Sequence, residues 1–241
     1  MVKGERVTTG GAYGDEFSDY FAEIAESSPY NAYTDRPSNL ELVGDCAGLR
    51  VLDVGCGAGH YAEVLVERGA YVDGIEGSSR LLEHSRERLA EHLDTRVSLR
   101  HHDLEQPFDF VPDSTYDGVL VALVHHHVTA RVQLLTELFR VLRPGGWMVL
   151  STTHPTADWG MVGGSYYDQI RITRNRNHGI QTYWRQTLEG LVTELLTPGF
   201  VLERLVEPRP MPELAALDPK RYDRLLESPC FLGFRLRRPA T

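Results

Sequence analysis

Asp53, Gly55, Gly57 and Gly59 stand at alternate positions in the run Val51-Leu52-Asp53-Val54-Gly55-Cys56-Gly57-Ala58-Gly59-His60-Tyr61. Residues of these types, so spaced, suit the capture of a ligand. Glycines carry no Cβ, so they allow positive φ and let the backbone approach a bound group. A helix opening behind Gly59 directs free N–H groups into the same space. Glu76 follows Gly55 by roughly 20 residues, at the tip of the next strand, where a carboxylate binds the vicinal hydroxyls of a ribose; its other reading is a solvated strand-end acid. The spacing also separates cofactor classes. A dinucleotide turn reads G-x-G-x-x-G, whereas this one reads G-x-G-x-G, and His60 stands where the third dinucleotide glycine would be. Asp53 at the strand end would repel a pyrophosphate but would welcome a cofactor with a cationic amino-acid end.

Histidines form the second group that could do chemistry. His125, His126 and His127 are consecutive, and His154 precedes Pro155. Three successive side chains cannot all face one ion from a regular element, and metal sites use separated ligands such as i and i+4 on a helix. No metal is expected. A histidine at a strand end can accept a proton from a hydroxyl or amine nucleophile, or it can pack against a cofactor.

The elements that must position these residues alternate strand and helix. Apolar residues at Phe17, Tyr20, Phe21, Ile24 and Ala25 predict an amphipathic helix over 13–27, with residues 1–10 as a disordered start. A second short helix is predicted around 38–43. Strands are predicted at 50–54, 71–75, 97–101, 116–122, 147–153, 200–206 and 230–237. Helices are predicted at 59–68 with Gly69 as C-cap, at 78–92 with Ser78 or Ser79 as N-cap, after a Thr129 cap with Val132, Leu135, Leu138, Phe139 and Leu142 as the buried stripe, at 184–196, and near 220–226. Residues 156–183, rich in glycine and aromatics, form a long loop that would act as a lid over substrate. This is α/β order with a mostly parallel sheet.

The Asp53-x-Gly55-x-Gly57-x-Gly59 run resembles motif I of the class I S-adenosylmethionine-dependent methyltransferases. Further resemblances are the Tyr116-Asp117 pair before the fourth strand, the run from Arg140 to Gly146, similar to the family's R-V-L-R-P-G-G, and Leu123–Val128, similar to L-V-L-H-Y-V. Asn31-x-Tyr33-x-x-Arg36-Pro37, the Ser151–Pro155 stretch and Glu207–Pro210 look like segments of one bacterial small-molecule subgroup. The resemblance implies a Rossmann-like, doubly wound, seven-stranded sheet with an antiparallel last strand, an N-terminal helical cap and a lid insertion. It divides a single domain into a cap at 1–48, a cofactor-binding core at 49–154, the lid at 155–185 and the rest of the core sheet at 186–241. It implies S-adenosyl-L-methionine as cofactor, held by Asp53, Gly55, Cys56, Gly57, Gly59, Glu76, Gly77, Ser78, Asp103, Leu104 and Ala122. Asp103 would accept from the adenine amino group, with the Leu104 N–H beside it. Family members often carry Asp where this chain has Glu76. His126 falls on a family histidine, and His126 and His154 are the candidate catalytic bases. Tyr30, Tyr33, Arg36, Tyr166 and Trp184 are candidate substrate contacts.

Composition narrows the partners. The 241 residues are 41% hydrophobic and 24% charged, ordinary for a soluble globular protein. A net charge of -9 disfavours a nucleic-acid substrate; Arg171, Arg174 and Arg176 are the only candidate basic cluster. Nor is there an N-P-P-Y-type sequence after the fourth strand, which argues against methylation of a nucleobase amine. Three scattered cysteines fit a reducing compartment, and no apolar run approaches the roughly 20 residues that span a bilayer. The expectation is a cytoplasmic monomer or homodimer, without a membrane partner. It would transfer methyl groups to an O- or N-nucleophile of a small molecule, in natural-product metabolism among other settings. Two other readings stand beside it: a nicotinamide-dependent oxidoreductase, which His60 opposes, and a methyltransferase-fold binding, regulatory or rearrangement protein that transfers no methyl group.

Overall fold

The computed structural model describes residues 15–176 and 179–240. Seven strands form one sheet: β1 (Arg50–Val54), β2 (Tyr71–Glu76), β3 (Val97–His101), β4 (Tyr116–Ala122), β5 (Leu142–Thr153), β8 (Val201–Val206) and β9 (Phe231–Arg237). Their order is β3-β2-β1-β4-β5-β9-β8. β9 runs antiparallel to both β5 and β8, and the other pairs are parallel. The sheet is therefore doubly wound, with an antiparallel last strand, as the resemblance implied. The order reverses between β1 and β4, and such a switch point leaves a crevice outside the carboxyl ends of the strands.

Helices cover both faces: α1 (Asp15–Ser27), α2 (Arg36–Val43), α3 (His60–Glu67), α4 (Ser79–Arg88), α5 (Arg131–Val141), α6 (Pro155–Val162), α7 (Leu188–Leu196), α8 (Glu213–Leu217) and α9 (Pro219–Glu227). The central strands are apolar on both sides, yet their residues still alternate between two cores. Leu52, Val54, Val119, Val121, Met148 and Leu150 pack with α5 and α7. Val51, Leu120 and Val149 pack with α2 and α3. Burial on both faces explains why these strands are continuous hydrophobic runs.

Several local expectations shift. The helix predicted over 13–27 begins at Asp15 among the described residues; Tyr13 and the start at 1–10 lie outside them. Ala130, not Thr129, is the N-cap of α5. The orphan N–H groups of Thr129 and Ala130 are instead taken by the two carboxylate oxygens of Glu105, at 2.7 and 2.8 Å. The buried stripe of α5 is Leu134, Leu135, Leu138 and Val141, while Val132 is exposed. Trp184 and Arg185 belong to a strand, and α7 starts at Leu188 behind Thr187, whose hydroxyl accepts from the Gly190 N–H.

The described residues of the stretch predicted as a loop include a helix and two strands. His154 caps α6 and Pro155 sits at its first turn, the position that tolerates a missing N–H. β6 (Ile170–Arg176) and β7 (Gly179–Arg185) then form a separate two-stranded antiparallel sheet. Arg185 is buried and donates to the carbonyls of Gly163, Ser165 and Asp168, so it pins the connection between α6 and β6.

Candidate active site

The cleft lies where the switch point puts it. Gly55, Gly57 and Gly59 have φ of 68°, 56° and 84°, the left-handed region that glycine enters without a Cβ clash. The N–H groups of Gly55 and Cys56 both donate to the Ile75 carbonyl, which ties the turn to β2. A Cβ at Gly59 would stand 2.7 Å from Ser85 Oγ, whereas one at Gly57 would meet only Phe21, at 3.9 Å. The backbone at Gly57 is thus open toward the cleft. That cleft encloses about 850 Å³, its solvent mouth included. The turn, Glu76, Gly77, Leu104 and Ala122 line one side; Phe21 and Ala25 of α1 with Asn31, Asp35 and Arg36 line the other.

Two carboxylates dominate the electrostatics. Glu76 is buried; its Oε2 accepts from the Gly57 N–H at 2.9 Å and its Oε1 from the Ser78 N–H at 2.8 Å. The Gly77 N–H also bears on this carboxylate. Asp53 is 1% exposed, and its Oδ2 has no partner. Burial, with the nearby Glu76 charge, pushes its carboxyl up to about 7. Asp53 is not itself among the residues that line the cleft; an unpaired buried acid beside the glycine turn calls for a donor or a cation.

Of the other expected cofactor residues, Gly77, Leu104 and Ala122 line the cleft. Cys56 lines it as well, and burial holds its thiol far above the usual range, unreactive. Ser78 is the N-cap of α4, with its Oγ 3.1 Å from that of Ser18 on α1. Asp103 is half-buried and accepts from the Glu105 N–H at 3.2 Å; it does not line the cleft.

The histidines divide. They form a short 3-10 turn after β4. His125 faces away, with Nε2 3.0 Å from Glu194 Oε1. His126 is buried behind the cleft wall, its Nδ1 3.0 Å from Thr152 Oγ1 and its ring edge-on to Tyr183. Burial, then the neighbouring His127 and His125, hold it well below the usual histidine range, so it is neutral. His127 is the member of the trio that lines the cleft; its Nδ1 lies 3.0 Å from the Thr182 carbonyl. His154 does not line it: Nδ1 accepts from the Thr156 N–H at the start of α6, and Nε2 lies 3.1 Å from Glu207 Oε1. Among the described residues, no three His, Cys, Asp or Glu side chains are placed to share a metal ion.

Arg36 is the one expected substrate contact found in the cleft. It donates to the Ala25 carbonyl at 2.7 Å, and its buried Nε has no partner. Tyr30 packs edge-on to Phe231 and accepts from Arg221. Tyr33 accepts through its carbonyl from the Met211 N–H. Tyr166 accepts from the Leu188 N–H and packs against Trp159. Trp184 lies under the Arg131 guanidinium at 5.2 Å. These four brace the elements around the cleft.

Sequence reasoning missed a polar cluster on the cap side. Asp35 is 1% exposed and closes a π-helical turn, Asn31–Asp35, that leads into α2. Its Oδ2 accepts from Tyr61 Oη at 2.7 Å and from Asn39 Nδ2 at 3.0 Å. Asn39 Nδ2 also lies 2.9 Å from Ser151 Oγ on β5. Asp35 sits inside the Asn31–Pro37 stretch already singled out, and π-turns cluster at functional sites.

A family model described as "Methyltransferase domain" matches residues 52–150. The chain is 30% identical over 190 residues to a probable S-adenosylmethionine-dependent methyltransferase of Mycolicibacterium smegmatis, covering 78% of this chain and 65% of that one. The chain belongs to the class I S-adenosylmethionine-dependent methyltransferases. Its cofactor is S-adenosylmethionine. A ubiquinone biosynthesis O-methyltransferase of Leptothrix cholodnii is 36% identical over 112 residues, 46% of this chain and 47% of that one. The chain thus spans about half to two thirds of the length of these two relatives. The crystal structure of a putative S-adenosylmethionine-dependent methyltransferase from Listeria monocytogenes has the same fold, with a TM-score of 0.73, 22% identity, and 85% of this chain and 96% of that chain covered. The methyltransferase site fits its cofactor on its own terms. The orphaned Asp53 oxygen suits an ammonium group, the Glu76 carboxylate suits a ribose diol, and the backbone at Gly57 has room for a close approach.

Proposed function

We propose that this methyltransferase acts on a small-molecule acceptor through an oxygen or nitrogen nucleophile. The observation that carries the reading is the cleft wall opposite the glycine turn. There Asn31, Asp35 and Arg36 bring polar groups beside Phe21 and Ala25, with His127 elsewhere in the same lining, a mixed surface suited to a compact, partly apolar molecule with a polar reacting group. The enclosure between α1 and the sheet favours a small molecule over a polymer, as does the net charge of -9. The relative named for ubiquinone biosynthesis supports the same class.

The bound cofactor supplies an activated methyl group on a sulfonium centre. The chain's residues bind, orient and exclude water. Asp53 would take the ammonium, Glu76 the ribose hydroxyls, Gly55, Gly57 and Gly59 the close approach of the backbone, and Cys56, Gly77, Leu104 and Ala122 the rest of the cofactor wall, with Ser78 capping α4 and Asp103 next to Leu104 in support. Arg36 would meet an anionic or carbonyl oxygen. Tyr30, Tyr33, Tyr166 and Trp184 would act through the elements they brace. His126, tied to Thr152 through Nδ1, and His154, with both ring nitrogens engaged, would hold the β4 and β5 ends in place.

Calorimetric titration with S-adenosylmethionine, with NADH as control, tests the cofactor half, and micromolar binding of the first alone is expected. Incubation with a small-molecule metabolite pool, read as S-adenosylhomocysteine release together with an acceptor heavier by one methyl group, tests the rest. Binding without any methylated product would favour a fold member that transfers no methyl group.

A further inference from the structure

We infer that Asp35 takes the proton from the acceptor's nucleophile, a role resting on the methyl-transfer reading above. The proton of an O–H or N–H acceptor has to leave as its heavy atom forms the bond to the methyl carbon and the carbon–sulfur bond breaks with its electron pair going to sulfur. The products are the methylated acceptor, neutral S-adenosylhomocysteine and a protonated carboxyl.

Asp35 is built for this in three respects. Its two oxygens are inequivalent. Oδ2 is fixed by Tyr61 Oη and Asn39 Nδ2, whereas Oδ1 is buried, has no partner, and belongs to a residue that lines the cleft. Its anchors are on rigid elements: Tyr61 in α3 directly behind the glycine turn, and Asn39 in α2, itself tied to Ser151 on β5. Ser151 pairs with Ala122, the last residue of β4, so the carboxyl stands over the strand ends on which the cofactor cleft is built. A buried acceptor without a partner, on a residue of the cleft wall, points to a ligand, because an orphaned polar atom otherwise costs stability.

The surroundings tune it. Burial pushes the carboxyl up to about 6, while Tyr61, Ser151, Asn39 and the adjacent Arg36 pull it down. The Cys230 thiol also faces it, and burial together with the Asp35 charge pushes that thiol up to about 12, so it stays neutral. A base poised near neutral pH accepts a proton most effectively. The two histidines expected as bases are less suited: His126 does not line the cleft, and both His154 nitrogens are taken.

The test compares wild type with Asp35→Asn and Tyr61→Phe, reading S-adenosylhomocysteine release. Catechol, aniline and benzylamine probe nucleophiles that must lose a proton; thiophenolate, ionised at neutral pH, probes one that need not. Asp35→Asn is expected to lower the ratio of catechol, aniline or benzylamine turnover to thiophenolate turnover by about 100-fold or more, with the S-adenosylmethionine dissociation constant within about threefold of wild type. Tyr61→Phe removes a donor that holds the Asp35 charge, so the acidic limb of kcat/KM should move to higher pH. An unchanged ratio in Asp35→Asn, or a loss in cofactor affinity instead, would overturn the role. So would an acidic limb that stays in place in Tyr61→Phe. No turnover of any probe by wild type would remove the methyl-transfer reading for these nucleophiles, and the inference with it.

Discussion

Cofactor binding should release a proton, and Asp53 should be its source. The carboxyl sits at about 7 in the free protein because burial, with Glu76 nearby, disfavours its charge. An arriving ammonium favours the charged form and returns the group toward the ordinary aspartate value of about 4. At pH 5.5 roughly 3% of free sites are ionised, and at pH 7 roughly half. Binding that requires the ionised form should therefore tighten about fifteenfold over that interval, with a slope approaching tenfold per pH unit at the acidic end. Proton release should be close to one per site at pH 5.5 and about one half at pH 7. Titration calorimetry in buffers of different ionisation enthalpy reads both quantities. Asp53→Asn should abolish the proton release and flatten the affinity profile. Proton uptake, or a flat profile in wild type, would refute the placement of Asp53 against the cofactor's cationic end. The same raised value has a consequence for stability. An acid whose folded value lies above its unfolded one contributes stability below about pH 4 that is lost as pH rises through 7. The ligand-free protein should thus soften across that window, and the cofactor should restore it.

Glu76→Ala should weaken S-adenosylmethionine binding by about 1.5–3 kcal/mol, the loss of a charge-assisted hydrogen bond, and lower the melting temperature too, since the Gly57 and Ser78 N–H groups lose their acceptor; an unchanged dissociation constant would remove Glu76 from the site. Gly59→Ala should destabilise the fold by at least about 1–2 kcal/mol in urea titration, since φ is 84° and the added Cβ meets Ser85 Oγ; a neutral result would mean that the turn relaxes freely. For Glu194, burial alone would raise the carboxyl, but His125 and Arg131 outweigh it and hold it at about 2. Its stabilisation is present above about pH 4.5 and lost as pH falls toward 2. Glu194→Gln should flatten that part of an acid-denaturation curve, and an unaltered curve would show that the pair contributes nothing.

The cofactor half of the site was legible because its signals are local. A glycine every second residue forces a turn, and an acid at the next strand tip faces the same crevice whatever the rest of the chain does. The strands were legible because burial on both faces leaves apolar runs such as Val119–Val121. What escaped the sequence depends on packing. Asp35, Tyr61, Asn39 and Ser151 come from the turn into α2, from α3, from α2 and from β5, and only the folded chain brings them together. The choice among three adjacent histidines turns on the phase of a 3-10 turn, which no periodicity over three residues reveals. The stretch 156–183 read as loop because glycines and aromatics mask short elements, and its described residues form α6, β6 and β7, braced by the His154 cap and the buried Arg185. The side chain of Arg176, one of the basic cluster, lies outside the described residues; Arg174 lies 5.9 Å from the Tyr183 ring centroid.

The most direct measurement of the central claim couples the two products. Purified protein is incubated with S-adenosylmethionine and a fractionated pool of small metabolites, and S-adenosylhomocysteine is quantified beside the mass of every acceptor. Release of one S-adenosylhomocysteine for each acceptor that gains one methyl group on oxygen or nitrogen is the predicted result. Tight cofactor binding with no S-adenosylhomocysteine above the acceptor-free control, in any fraction, would contradict it.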